Sequence, residues 1–192
     1  MAEAFDLIVR GGTCLTPAGR VATDVALTGG RIAALGDLAA ADAATVIDAK
    51  GLHVLPGVID SQVHFREPGG EHKEDLESGT RAAALGGVTA VFEMPNTNPS
   101  TTTAQAIADK IARATGRAWC DFAFFVGAAK ENVNRLAGLE HLEGCCGIKV
   151  FMGSSTGSLL VADRGLLEAV LERGRRRIAV HAEDEERLKA RF

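Results

Sequence analysis

The stretch GVIDSQVHFREPG, residues 57–69, decides how the rest of the chain is read. It starts as a short apolar run suited to a buried strand and passes into a polar segment closed by glycine. Asp60, Gln62, His64 and Arg66 recur in it at every second position, so a continued strand would turn all four to one face. Such a polar face needs a site or hydrogen-bond partners, because unpaired polar groups are costly to bury. A lone strand histidine is more often a hydrogen-bonded core residue than a ligand, so the neighbouring segments must arbitrate.

Upstream, residues 5–56 are short β-like runs broken by turns: DLIVRGG, DVALTGGRIAALG and TVIDAKGLHVLPG, with Gly29 and Gly30 marking a tight hairpin. Residues 1–56 therefore read as a small all-β unit. Downstream, residues 57–192 alternate apolar strands with helical patterns, the mark of βα units around a parallel sheet. The strands are GVIDSQVHF (57–65), VTAVFEMP (88–95), CDFAFFVGA (120–128), GIKVFMG (147–153) and RIAVHAE (177–183). The helices between them place Leu76, Thr80, Ala83 and Ala84 on one inner stripe and Ile107, Ile111 and Ala114 on a second. A third stripe carries Leu166, Leu167, Val170 and Leu171 behind an N-cap at Asp163.

A closed (β/α)8 barrel takes eight such units and about 250 residues. This sequence carries about five and ends at Phe192, so the expectation is a barrel truncated after the fifth strand. An open sheet with helices on both faces is the alternative. Either way, sites form at the carboxyl ends of the strands.

Composition removes several classes of function. With 21 basic and 25 acidic residues the formal net charge is −4, which offers no field for nucleic acid or an anionic membrane. RGRRR at 173–177 reads as a solvated helix end. No run approaches the roughly 18 apolar residues of a membrane span, and MAEAFDLIVRGG lacks signal-peptide features, which places the chain in the cytoplasm. Cys14, Cys120, Cys145 and Cys146 form no CxxC pair and read as small hydrophobes.

Two further strands add chemistry. Lys149 stands between Ile148 and Val150, where a buried cation is expensive unless paired or neutralised, and His181 ends the fifth strand next to Glu183. His64, Lys149 and His181 are thus expected at one location. The competing readings are a lysine snorkelling from an edge strand and a surface histidine.

The segment GVIDSQVHFREPGGEHKEDLESGTRAAALGGVTAVFEMPNTNPSTTT resembles the first two barrel units of the dihydroorotases of the amidohydrolase superfamily. GIKVFMGSSTG and AVHAED are similar to the fourth and fifth strands of that family, and DLIVRGG with GLHVLPGVID to its N-terminal β-sandwich. The resemblance implies a TIM-like (β/α)8 metal-dependent hydrolase barrel. In that family a strand-one His-x-His pair binds the more buried of two zinc ions; His64 matches the second histidine, and Gln62 stands in place of the first. Lys149 matches a lysine carboxylated to bridge the metals, and His181 a ligand of the second zinc. Arg66 and Asn96 match contacts to the substrate carboxylate, for which a planar guanidinium is well suited. The bland alternatives are an ion pair of Arg66 with Glu67 or Glu71, and a turn role for Asn96 beside Pro95. The family's catalytic aspartate has no counterpart here, so no catalytic acid is assigned, and neither Asp60 nor Glu183 matches it.

The implied reaction is reversible conversion of dihydroorotate to N-carbamoyl-L-aspartate in pyrimidine biosynthesis, with one or two zinc ions. Amide oxygen is a weaker zinc ligand than imidazole, so Gln62 predicts an altered site with a single tightly held zinc near Lys149 and His181. A hydantoinase or allantoinase is the alternative, and an inactive dihydroorotase-like partner of aspartate transcarbamoylase the third reading. Expected partners are a small carboxylate-bearing substrate and a second copy of the chain or the transferase. These 192 residues alone are expected to turn over negligibly. The loop GSSTGSLL, 153–160, lacks phosphate-loop spacing and reads as a rim or lid.

Overall fold

The chain separates into two units, Met1–Pro56 and Gly57–Phe192, and the computed structural model describes residues 4–153 and 159–191. In the first unit lie β1 (Phe5–Arg10), β2 (Thr13–Thr16), β3 (Gly19–Ala22), β4 (Asp24–Thr28), β5 (Arg31–Gly36), β6 (Ala43–Asp48) and β7 (His53–Val54). They form a four-stranded sheet of order β5-β4-β1-β6 and a three-stranded sheet of order β3-β2-β7. Gly29 and Gly30 make the β4–β5 hairpin turn at φ 59° and 73°, the positive values that a tight hairpin with matching twist requires at both centres. Asp24 is buried and accepts from the Gly11 N–H at 2.7 Å and the Leu38 N–H at 3.0 Å. Those two backbone donors hold its carboxyl below the ordinary 3.8.

The second unit runs β8 (Val58–Val63), α1 (Leu76–Leu85), β9 (Val88–Glu93), α2 (Ala104–Ala114), β10 (Asp121–Gly127), a short helical turn with α3 (Leu136–Leu139), β11 (Cys145–Phe151), α4 (Arg164–Arg173), β12 (Ile178–His181) and α5 (Glu185–Arg191). Its sheet has the order β8-β9-β10-β11-β12, with every neighbouring pair parallel. A doubly wound sheet reverses its order at a switch point. This one never reverses, and right-handed crossovers then stack the helices on one face. Packing agrees: Ile107, Leu136 and Val170 of three successive helices share one buried cluster with Val126, Ile148 and Val150 of the sheet. Leu76 of α1 joins Ala114 of α2, Phe65, Val91 and Phe124 in the next. The open two-faced alternative is excluded, and the unit is a parallel half-barrel.

Helix starts follow the sequence. Asp75 and Ser78 form a capping box on α1, with Ser78 N–H to Asp75 Oδ1 at 2.7 Å and Asp75 N–H to Ser78 Oγ at 3.2 Å. Thr103 caps α2 and Asp163 caps α4, each accepting from the third residue on. The stripes differ in detail: Gly79 is buried on α1 where Ala84 is exposed, and Leu171 of α4 is exposed. RGRRR is not a plain solvated end. The buried Glu140 carboxylate accepts from the Arg175 and Arg176 N–H groups, and the Arg176 guanidinium donates to the carbonyls of Glu140 and Cys145, both at 2.8 Å.

One irregularity re-aims the fourth barrel strand. Phe124 pairs with Cys145 but Phe125 pairs with Gly147, so β11 carries an extra residue at this step. Cys145 and Ile148 consequently both face the helices, while Cys146 lies with Met94 and Phe125 in the cluster on the opposite face. Gly147 adopts φ +152°, and a Cβ there would stand 2.3 Å from the Arg177 carbonyl oxygen, so only glycine fits. Past this bulge Lys149 alternates with helix-facing Ile148 and Val150 and lands on the face away from the helices. Among the described residues no helix is long and apolar enough to cross a membrane.

Candidate active site at the strand ends

Because the five strands run parallel, His64, Asn96, Lys149 and His181 are delivered to the same end of the sheet, the carboxyl end. His64 follows β8 and Asn96 follows β9, and their side chains meet with Nδ1 2.7 Å from Asn96 Oδ1. Facing an amide oxygen, Nδ1 carries the proton and Nε2 keeps its lone pair for a ligand. Burial pushes the His64 pKa down; the Asn96 hydrogen bond opposes this, and the charges of Arg66, Lys149 and Lys110 reinforce it. Burial thus favours the neutral imidazole, the form a metal needs.

Arg66 does not continue the alternation expected from the sequence. β8 stops at Val63, and Arg66 sits at φ +64°, the one positive value outside glycine among the described residues. That conformation costs a bulky residue about 1 kcal/mol and is found where surrounding structure enforces it. It leaves the guanidinium at a cleft of ≈ 630 Å³ that Arg66 shares with His72, Lys73, Asn96, Asn98 and Ser100 and that no Asp or Glu lines. The ion pairs considered for Arg66 are taken by other partners. Glu67 binds Arg117 at 2.9 Å, and Glu71 accepts from the Gly69 N–H and faces Arg113.

Lys149 is 2% exposed and sits on an interior strand, so it is not a lysine snorkelling from an edge. Its ammonium lies 5.0 Å from the Phe151 ring centroid, burial pushes its pKa down, and no carboxylate pairs with it among the described residues. Phe151 pairs in register with His181, which puts Lys149, Phe151 and His181 on one face of adjacent strands. His181 Nε2 stands 3.0 Å from Glu183 Oε1. Gln62, by contrast, is exposed on the edge strand β8, where its N–H donates to Asp60 Oδ1 at 3.0 Å.

Among the described residues no three His, Cys, Asp or Glu side chains gather as a metal site. A desolvated amine without an acidic partner does suit carboxylation, which turns a costly cation into an anionic ligand. Lys149, once carboxylated, and His181 are the side chains that could hold one metal ion. The donors do not fit a second position built on two imidazoles of β8. Residues 154–158 of the rim or lid segment lie outside the described residues.

The sequence reading overlooked a buried pair behind the site. Lys110 of α2 reaches Glu93 Oε2 at 2.8 Å, and each side chain is 1% exposed. Burial raises the pKa of Glu93 against the pull of Lys110, and burial lowers that of Lys110 against the pull of Glu93. The signal was present: Lys110 falls three residues after Ile107, inside the apolar stripe of its helix.

Residues 51–143 match the family described as Dihydro-orotase-like. Over 188 residues the chain is 37% identical to an allantoinase of Deinococcus radiodurans, covering 95% of this chain and 42% of that protein. It is 46% identical over 157 residues to an allantoinase of Rubrobacter xylanophilus, covering 81% of this chain and 34% of that one. In structure it superposes on the L-hydantoinase (dihydropyrimidinase) from Arthrobacter aurescens with a TM-score of 0.87 and 31% identity, over 97% of this chain and 42% of that one. This chain therefore spans less than half the length of these relatives. They bear the names allantoinase and hydantoinase, which matches the alternative drawn from the sequence better than the dihydroorotase expectation.

Proposed function

We propose that this chain serves the hydrolysis of a cyclic amide, with allantoin-type and hydantoin-type rings as its first substrate class. The observation that carries the proposal is the convergence of His64, Asn96, Lys149 and His181 at one end of a parallel half-barrel, in a chain 37% identical to an allantoinase. Ring opening needs a polarised carbonyl, a water nucleophile and a fixed ring. Zinc held by a carboxylated Lys149 with His181 would polarise the carbonyl and supply a water of pKa about 7. The chain's own part is positional: Asn96 orients His64, and Arg66 waits at the cleft mouth to bind an oxygen of the ring or its substituent.

A second reading, dihydroorotate as substrate, has one observation in its favour. Arg66 faces a cleft with no acidic lining and two other basic side chains, His72 and Lys73, as a carboxylate-bearing ring would require. Equilibrium binding of allantoin, hydantoin and dihydroorotate to the zinc-loaded protein, repeated with Arg66→Met, separates the readings. Tight binding of the neutral rings that survives Arg66→Met supports the first. Binding of dihydroorotate alone, abolished by Arg66→Met, supports the second, and failure of all three to bind overturns both.

A further inference from the structure

Glu93 and Lys110 lie on the helix side of the sheet, and no step of the proposed reaction uses them. They are nevertheless a fully buried ion pair. Lys110 Nζ donates to Glu93 Oε2 at 2.8 Å and also to the Met94 carbonyl at 3.2 Å. Glu93 Oε1 lacks a hydrogen bond of good geometry among the described residues, although the Phe65 N–H lies near enough to the carboxylate to oppose the upward pull of burial on its pKa. Apolar residues of similar volume would fill this space without desolvating two charges, so stability does not account for the pair. An unsatisfied buried oxygen asks for another reason.

Position supplies one. The Met94 N–H donates to the Val63 carbonyl at 3.0 Å, tying β9 to β8 immediately before His64 and two residues before Asn96. Lys110 grips the carbonyl of that same Met94 from α2. The helix is thereby fastened to β9 two residues before Asn96, at the residue tied to β8 just before His64. We propose that Lys110 and Glu93 are positioning residues, a strut from α2 that holds Asn96 against His64 and so fixes the ring's tautomer. The proposal rests on the reading of His64 and Asn96 as parts of the site, but its test requires no turnover.

The test reads the nitrogen-15 signals of the His64 ring in the purified, chelated protein at a pH where the ring is neutral. The wild-type ring is expected in the Nδ1–H form, and Asn96→Ala, which removes the acceptor itself, sets the full shift for loss of this hydrogen bond. In the volume-preserving double variant Lys110→Met with Glu93→Leu, circular dichroism and melting should stay close to wild type. The ratio of Nδ1–H to Nε2–H should fall about fivefold, the change expected when a neutral hydrogen bond of ordinary net strength is lost. A folded double variant with the wild-type tautomer overturns the proposal. If the double variant does not fold, Glu93→Gln is read in the same way. An unchanged tautomer there, or failure of that variant also to fold, assigns the pair to folding and overturns the proposal. A tautomer shift in a protein that binds none of the three rings would leave the strut standing while the functional reading fails.

Discussion

His64 Nδ1 lies 2.7 Å from Asn96 Oδ1, a bond that joins the ends of two neighbouring parallel strands. Removing the acceptor should act in a definite direction, because this hydrogen bond raises the pKa of a ring that burial depresses. In Asn96→Leu the His64 pKa is expected to fall further below 6.5, followed as a histidine ring titration in the metal-free chain. An upward shift would mean that the contact is absent in solution.

The bulge at Gly147 is what turns Lys149 from the helix layer to the opposite face. Gly147→Ala must place a methyl group 2.3 Å from the Arg177 carbonyl oxygen in a backbone region closed to L side chains. The expected cost is about 2 kcal/mol or more in urea unfolding. A cost below about 0.5 kcal/mol, the level of an ordinary surface substitution, would show that the bulge is not rigid.

Lys149 makes a prediction of the opposite sign. An ammonium that is 2% exposed and unpaired among the described residues destabilises the metal-free chain, so Lys149→Met should raise its stability by about 1 kcal/mol. The same change should abolish zinc retention. Carboxylation consumes the neutral amine, which burial favours by lowering the pKa, so wild-type zinc uptake should also fall when bicarbonate is removed. Zinc content after dialysis checks both.

Asp24 reports on the smaller unit. Its folded pKa lies below 3.8 because the Gly11 and Leu38 N–H groups bind the carboxylate. Unfolding therefore takes up a proton in the window between the folded value and 3.8. The stabilisation is complete above 3.8 and is lost as pH falls through the folded value. Asp24→Ala should melt well below wild type at neutral pH, with the gap closing as the solution is acidified. A gap independent of pH would place the effect elsewhere.

Much of this architecture was legible. The change from period-two runs to alternating strands and helices at residue 57 falls where the structure divides into units, and Asp163 announces the start of α4. What was hidden has physical causes. Alternation assigns faces only while a strand continues, so it misplaced Arg66, whose backbone turns left-handed beyond Val63. A glycine bulge shifts parity without changing composition, so the sequence could suggest that Lys149 is buried but not by what device it is aimed. Lys110 was passed over because an apolar stripe is counted by hydrophobic residues, and its partner Glu93 lies 17 residues away on the sheet. Strand order, finally, is a long-range property that no local period encodes.

Gln62 gives the sharpest test of the metal position. It stands on β8 two residues before His64, exposed at the sheet edge, and offers an amide oxygen where an imidazole would bind zinc more strongly. With Lys149 and His181 on the far strands, the wild-type chain should retain a single zinc ion. Gln62→His adds a nitrogen donor on the strand that leads directly into His64, whose Nε2 is turned away from the Asn96 contact. The variant should therefore gain a second ion, seen by elemental analysis of protein dialysed against limiting zinc. A wild-type chain already carrying a full pair would show that the amide is an adequate ligand and that β8 needs no second imidazole.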